Sequence, residues 1–326
     1  MELTEPMKSE PAKRRRRAST GKSGLTAGLK GVVKHWQLTL LLLPVLIAIL
    51  VFCYFPMLWL VIAFKDYNIG KGIWGSPWVG WKHFHMFFTY PDFLRLIRNT
   101  LVISLLNLAF GFPAAILFAL LLNEIRHSIF KRTVQTLTYL PYFIPWTIMA
   151  GFISLLFSID GLINGLLEDM GLRTHNFLTN NTNFIELVIG SGIWKGMGWS
   201  SIIYLAAIAG VNPQLYEAAL IDGASRFQRI KSITVPAIMP VIGITFILQV
   251  GGLMSANFDQ LFNLYNTQVY KVADVIDTYV VRMGVSQLQY SITTAMGLFK
   301  GVVGFVLIML SNWVIRLTSD GENSLW

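Results

Sequence analysis

Six stretches of the chain are apolar over about twenty or more positions each: 37–64, 100–122, 134–157, 184–209, 236–257 and 291–317. A helix rising about 1.5 Å per residue needs about 20 apolar residues to cross a hydrocarbon core of about 30 Å. Lipid offers no partner to open backbone groups, so such stretches are predicted as helices whose hydrogen bonds close internally. The two-residue alternation of a barrel strand is absent from them. The expected fold is an all-α membrane protein with six transmembrane helices. Several spans carry breakers: Pro44 and Pro56 in the first, Pro113 in the second, Pro141 and Pro145 in the third, Gly251 and Gly252 in the fifth. A proline inside a span frees a carbonyl that a neighbouring helix must satisfy, which predicts a packed bundle with a working interior.

Composition agrees with that class. Of 326 residues, 54% are hydrophobic and only 13% charged, too few charges to cover a water-exposed globule. The net charge of +9 is concentrated at one end, where nine Lys and Arg residues fall within the first 34 positions, Arg14 to Arg17 consecutively. That stretch cannot bury a core, so residues 1–36 are predicted as a disordered basic tail held against anionic lipid rather than bound to nucleic acid. Residues 37–317 are then the six-span domain and 318–326 a short C-terminal tail. With the N-terminus inside, inner segments carry about twice the basic residues of the outer loops, so both termini are expected in the cytoplasm. Three outer loops follow, near 65–99, 158–183 and 258–290, the first rich in Trp and Phe suited to a membrane interface. Cys53 is the single cysteine, which excludes an internal disulfide.

The most informative segment joins the fourth and fifth apolar stretches, residues 212–235. Asn212 fits a helix N-cap, and Pro213 fits the first helical position, where its missing N–H goes unnoticed. Leu215, Ala218, Ala219 and Leu220 continue at helical spacing. Gly223 should end that helix, because glycine enters the left-handed C′ conformation without a Cβ penalty. A second helical stretch can begin at Ser225. The prediction is a compact helix–turn–helix, with small Ala218 and Ala219 permitting close approach by another protein.

Glu217-Ala218-Ala219, followed after three residues by Gly223 and after nine more by Ile233-Thr234-Val235-Pro236, resembles the EAA loop of permease subunits in binding-protein-dependent bacterial ABC importers. The fuller run from Glu217 through Asp222 to Ala224 is similar to the carbohydrate branch. Gly161-Leu162-Ile163-Asn164, Trp194-Lys195 and Gly297-Leu298-Phe299-Lys300 extend the likeness over residues 37–317, towards permeases for large oligosaccharides such as the alginate importer's subunit. This resemblance implies an inner-membrane transport subunit for oligo- or polysaccharide, acidic sugars included. It implies a cytoplasmic coupling helix seated in an ATPase, with Glu217, Ala218, Ala219 and Asp222 at the contact and Gly223 as the bend. It implies as partners a second permease, making a heterodimer, two ATPases that hold the ATP and Mg, and an extracytoplasmic sugar-binding protein. No cofactor is expected on this chain.

Polar groups within or beside the spans are candidates for the substrate path, because an ionisable side chain at membrane depth costs about 2.5 to 3.5 kcal/mol and normally faces a polar interior. Lys195 lies among Gly192, Gly196 and Gly198 and beside Trp194 and Trp199, which could stack on a sugar. A structural lysine is the competing reading. Lys300 sits near the middle of the last span with no partner evident. Gln249, Asn257 and Asp259 offer hydrogen bonds either to hydroxyls or to neighbouring helices. Gly21-Lys22-Ser23 lacks the glycine a phosphate-binding loop needs five positions earlier, where Arg16 stands, so ATP hydrolysis is not expected here. His83 and His85 have no third metal ligand nearby, and no catalytic constellation is proposed. A membrane enzyme on lipid-linked sugars would need such a constellation. An ion-coupled secondary transporter would need intramembrane carboxylates, and Glu186 is the one acid in any span, at its edge.

Overall fold

In the computed structural model, residues 36–318 are described; the expected tails at 1–36 and 318–326 lie, Trp36 and Thr318 apart, outside them. The regular elements of those residues are helices, and their one β feature is an isolated bridge between Lys65 and Trp78. The chain divides into two units between Trp59 and Leu60. The described part of the first holds helix α1 (Trp36–Ile49) and a π-helical turn, Leu50–Tyr54, and none of its side chains is buried.

The second unit contains α2 (Phe93–Leu106), α3 (Phe112–Glu124), α4 (Ser128–Tyr139), α5 (Trp146–Phe157), α6 (Asn181–Ala209), α7 (Pro213–Ile221), α8 (Val235–Gly251) and α9 (Tyr290–Thr318). Five helical runs among the described residues are long and apolar enough to cross a membrane: Trp36–Phe64, Phe93–Glu124, Trp146–Asp169, Arg226–Gly251 and Tyr290–Leu317. The predicted fourth stretch is present as α6, whose 29 residues span about 44 Å but whose composition is less apolar. Its surroundings account for that. Helix α6 packs against α3, α4 and α8, and it buries Lys195, Gly198 and Ser201 along with Phe184, Leu187, Val188 and Tyr204. A helix wrapped by others has less need of an apolar surface than one facing lipid.

Two boundaries differ from expectation. The third stretch is not one helix, because the chain leaves α4 through a 3-10 turn, Leu140–Phe143, and restarts at Trp146. Pro145 drives Ile144 to an extended ψ of 123°, the conformation a residue before proline prefers. The fifth ends at Gly251, so Gly251 and Gly252 terminate a helix rather than kink it, and Asn257 belongs to the following turn. Three prolines carry the same upstream signature. Five-residue π segments at Leu50–Tyr54, Asn107–Gly111 and Ile230–Thr234 end two residues before Pro56, Pro113 and Pro236. A proline ring collides with the carbonyl four residues back, and widening the preceding turn relieves it.

The second unit is held by clusters at different levels. Ile103, Met149, Ile153, Phe184 and Val188 meet Leu261, Val269 and Val275, joining α2, α5 and α6 to the segment before α9. Ala115, Ala119, Tyr204, Ile208 and Ile238 join α3, α6 and α8. The segment before α9 is also stitched to α2 by polar bonds. Asn99 Nδ2 on α2 donates to the carbonyls of Lys271 and Asp274, and within the segment fully buried Asp274 accepts from Arg282 Nη1 and Nη2 at 3.0 and 2.6 Å. Asp274 in turn raises the Arg282 pKa, which keeps that cation charged.

In the aromatic loop after residue 64, Lys82 Nζ donates to Asp66 at 2.8 Å and holds that carboxyl below its usual pKa. His83 is buried nearby with no hydrogen bond to either ring nitrogen, and burial pushes its pKa below the ordinary imidazole value. The folded loop therefore prefers neutral His83, while an opened loop takes up a proton more readily. Stability from this residue is present above about pH 6.5 and is lost as pH falls towards the lowered folded value. The hydrogen-exchange protection factors of residues 82–88 should fall on acidification, and His83→Phe should flatten that dependence; an equal fall in the variant would exclude His83 as its source.

Candidate functional site

The helix–turn–helix after α6 forms as its residues require. Asn212 Oδ1 accepts from the Gln214 N–H at 3.0 Å, Pro213 takes the first turn, and α7 runs to Ile221. Gly223 then adopts a φ of +75°. The Gly223 N–H donates to the Leu220 carbonyl at 3.1 Å and the Ala224 N–H to that of Ala219 at 2.8 Å, the paired bonds of a glycine-terminated helix end. Ser225 and Gln228 cap the next turn reciprocally, and Tyr216 Oη shares a hydrogen bond with Thr234 Oγ1 at 2.9 Å. The turn is therefore tied back to the start of α8. Helix α7 buries none of its residues, and Glu217, Ala218, Asp222 and Gly223 are exposed, with Ala219 half-buried. Leu215, Leu220, Ile221 and Phe227 are exposed beside them, Ile221 by 88%. An exposed apolar cluster on a rigid, doubly capped turn is a surface built for contact.

The candidate path residues fall into separate surroundings. Lys195 on α6 is 7% exposed, and its ammonium donates to the carbonyls of Pro141, Tyr142 and Ile144 at 3.0, 2.8 and 2.6 Å. These are carbonyls released by the break between α4 and α5. The same ammonium lies 5.5 Å from the Tyr142 ring and 5.3 Å from that of Trp146. Trp199 stacks flat on Tyr142 at 4.6 Å. The α4–α6 approach depends on Gly198, where a Cβ would press into the Thr138 carbonyl. Asp259 shares a shallow pocket with Lys195, Tyr142 and Asn263, whereas Trp194 edges an apolar groove between α5 and α6 that also contains Glu186. Lys300 has a partner that sequence did not reveal. Its Nζ meets Asp277 Oδ1 at 2.5 Å.

Gln249 and Asn257 share one cavity, of about 210 Å³, between α2, α3, α6 and the end of α8. Gly192 and Gly196 open its α6 wall. Asn257 has a φ of +44°, a left-handed conformation that asparagine tolerates better than most residues. Ser104, Asn107, Ser200, Tyr204 and Ser255 complete its polar lining, and none of the five was among the sequence candidates. A signal was available for two of them, since Ser104 and Asn107 are polar residues within an apolar stretch and stand shortly before Pro113.

Comparison with known proteins gives this geometry its context. A family model described as "binding-protein-dependent transport system inner membrane component" matches residues 111–320. The polygalacturonan/rhamnogalacturonan transport system permease protein YteP of Bacillus subtilis (strain 168) is 48% identical over 296 residues, covering 90% of this chain and 92% of that protein. A chain of a bacterial ABC transporter involved in import of the acidic polysaccharide alginate superposes with a TM-score of 0.83 at 40% identity, covering 90% of this chain and 99% of that one. The bacterial alginate transporter in complex with an alginate pentasaccharide-bound periplasmic protein gives a TM-score of 0.82 at the same identity, over 89% of this chain and 97% of that one. This chain belongs to the family of binding-protein-dependent transport system inner membrane components and is a permease of the sugar ABC importers.

Proposed function

We propose that this permease carries acidic oligo- or polysaccharide across the cytoplasmic membrane through six spans, α6 supplying the one beyond the five apolar runs. The observation that carries the substrate reading is the joint similarity, at 40% identity or more over about nine-tenths of the chain, to a polygalacturonan permease and an alginate importer. Both termini lie in the cytoplasm in this reading, supported by the excess of basic residues on that side. Helix α7 then faces the cytoplasm. It is the coupling helix, with Glu217 as its electrostatic contact, Asp222 and the small faces of Ala218 and Ala219 against the ATPase groove, and Gly223 setting the bend. Two ATPases bind and hydrolyse the ATP with its Mg, and this chain needs no cofactor of its own. A second, different permease closes the path, and an extracytoplasmic binding protein delivers sugar, as a periplasmic protein does in the alginate complex.

For transport rather than leakage, nucleotide and sugar must bias the same two-state equilibrium through different contacts. ATP binding closes the ATPases and α7 passes that movement to α8 through the tie between Tyr216 and Thr234. The sugar acts in the cavity containing Gln249 and Asn257. Lys195 and Lys300 have their charges engaged within the chain, by carbonyls and by Asp277, and on this reading they shape the path without touching sugar.

The test is ATPase activity of the complex in lipid, with its binding protein, across uronate and neutral oligosaccharides. Stimulation by uronates is the expected result. Stimulation by neutral sugars alone would overturn the acidic substrate, and uptake that survives ATP depletion would overturn the ATP-driven mechanism.

A further inference from the structure

Two residues that line the cavity described above each carry a buried polar atom with no partner. Ser104 is 8% exposed and its Oγ makes no hydrogen bond; Asn107 Nδ2 is likewise buried and unpartnered. Leaving such groups unsatisfied loses their hydration with nothing in return, so they ordinarily have a partner in some state of the protein. Both line the cavity, and Asn107 begins the π-helical turn Asn107–Gly111. Turns of that kind cluster at functional sites, because the extra residue re-aims side chains. Across the cavity Gly196 leaves open space where a Cβ would stand. Among the described residues, no lining side chain carries a charge at neutral pH.

We propose that Ser104 and Asn107, together with Gln249 and Asn257, form a subsite that reads sugar hydroxyls and is indifferent to the sugar's carboxylate. The inference rests on the permease reading above and deepens it. A hydroxyl both donates and accepts, so one glycosyl unit can satisfy the Ser104 hydroxyl and the Asn107 amide together. An uncharged lining gives a passing carboxylate no counter-charge to hold it. Such a lining suits a polymer whose units must each move on. Preference for acidic sugars, on this view, is set outside this chain's share of the membrane path.

The experiment uses the complete complex in vesicles, with its ATPases and binding protein, and follows import of oligogalacturonate at low and high salt. Ser104→Ala and Asn107→Leu should each lower the import rate about tenfold, the equivalent of one lost hydrogen bond in the path. Ser104→Thr, which keeps the hydroxyl, should retain most of the rate and shows that loss in Ser104→Ala is not misfolding. The factor should be the same at both salt concentrations, since contacts to neutral hydroxyls are not screened. Wild-type rates in Ser104→Ala and Asn107→Leu would overturn the proposal, as would a factor that shrinks in high salt, the sign of carboxylate contact. A wild-type complex importing neutral oligosaccharide but no oligogalacturonate would overturn the acidic-substrate reading instead. The same variants, compared on the neutral sugar, would then decide the hydroxyl subsite.

Discussion

Replacing Lys195 with methionine is expected to destabilise the permease by about 3 kcal/mol and to lower its melting temperature in detergent. Methionine keeps most of the side-chain volume but cannot donate, so the carbonyls of Pro141, Tyr142 and Ile144 lose the ammonium that now satisfies all three. Breaking a buried charge–dipole contact by deleting one partner strands the other, and each stranded carbonyl costs about 1 to 3 kcal/mol. Relief of the lysine's own burial offsets part of that sum. Loss should appear locally as faster hydrogen exchange through residues 140–147, where the Pro141 carbonyl keeps its bond from the Ile144 N–H at 3.2 Å but the helical ladder is interrupted between Phe143 and Trp146. A melting temperature equal to that of the wild type would show that the break is held by packing alone, for example by Gly198 against Thr138.

The second large effect is expected at the turn after α7. Gly223→Pro forces φ to about −65° where the chain needs +75°, and it removes the N–H that donates to Leu220. The end of α7 should then swing away from the axis set by its bond to Thr234. Sugar-stimulated ATPase activity should fall at least about tenfold while membrane insertion persists, because the membrane-crossing runs lie outside this turn. Glu217→Ala removes one exposed charge without disturbing the fold, so it should reduce stimulation at unchanged thermal stability. Full stimulation in both variants would refute the coupling role of α7.

The contrast between these two sites shows what could be read from sequence. The capping bonds that shape the turn act over a few residues: Asn212 caps its second neighbour, Gly223 and Ala224 close the nine-residue α7 on carbonyls three and five residues back, and Ser225 pairs with Gln228. The turn was accordingly legible before any coordinates. Helical class and the positions of the apolar runs were legible for a similar reason, since lipid leaves the backbone few alternatives. The proline breaks at 141 and 145 were visible as breakers, but the π turns ahead of Pro56, Pro113 and Pro236 were not, because widening a turn is one of several responses to the same clash.

Side-chain partners of the in-span cations were beyond reach. Lys195 is bonded to carbonyls 51 to 54 residues away, and Lys300 to a carboxylate 23 residues away in the preceding segment. The cavity shared by Ser104, Asn107, Gln249 and Asn257 likewise draws on separate helices. Local chemistry along the chain settles where helices run, where they stop and which residues cap them, because those energies are exchanged between near neighbours. Which helix stands beside which is a matter of long-range packing, and only that arrangement assigns Lys195 to a broken helix, pairs Lys300 with Asp277 and leaves Ser104 and Asn107 facing a space that sugar could fill.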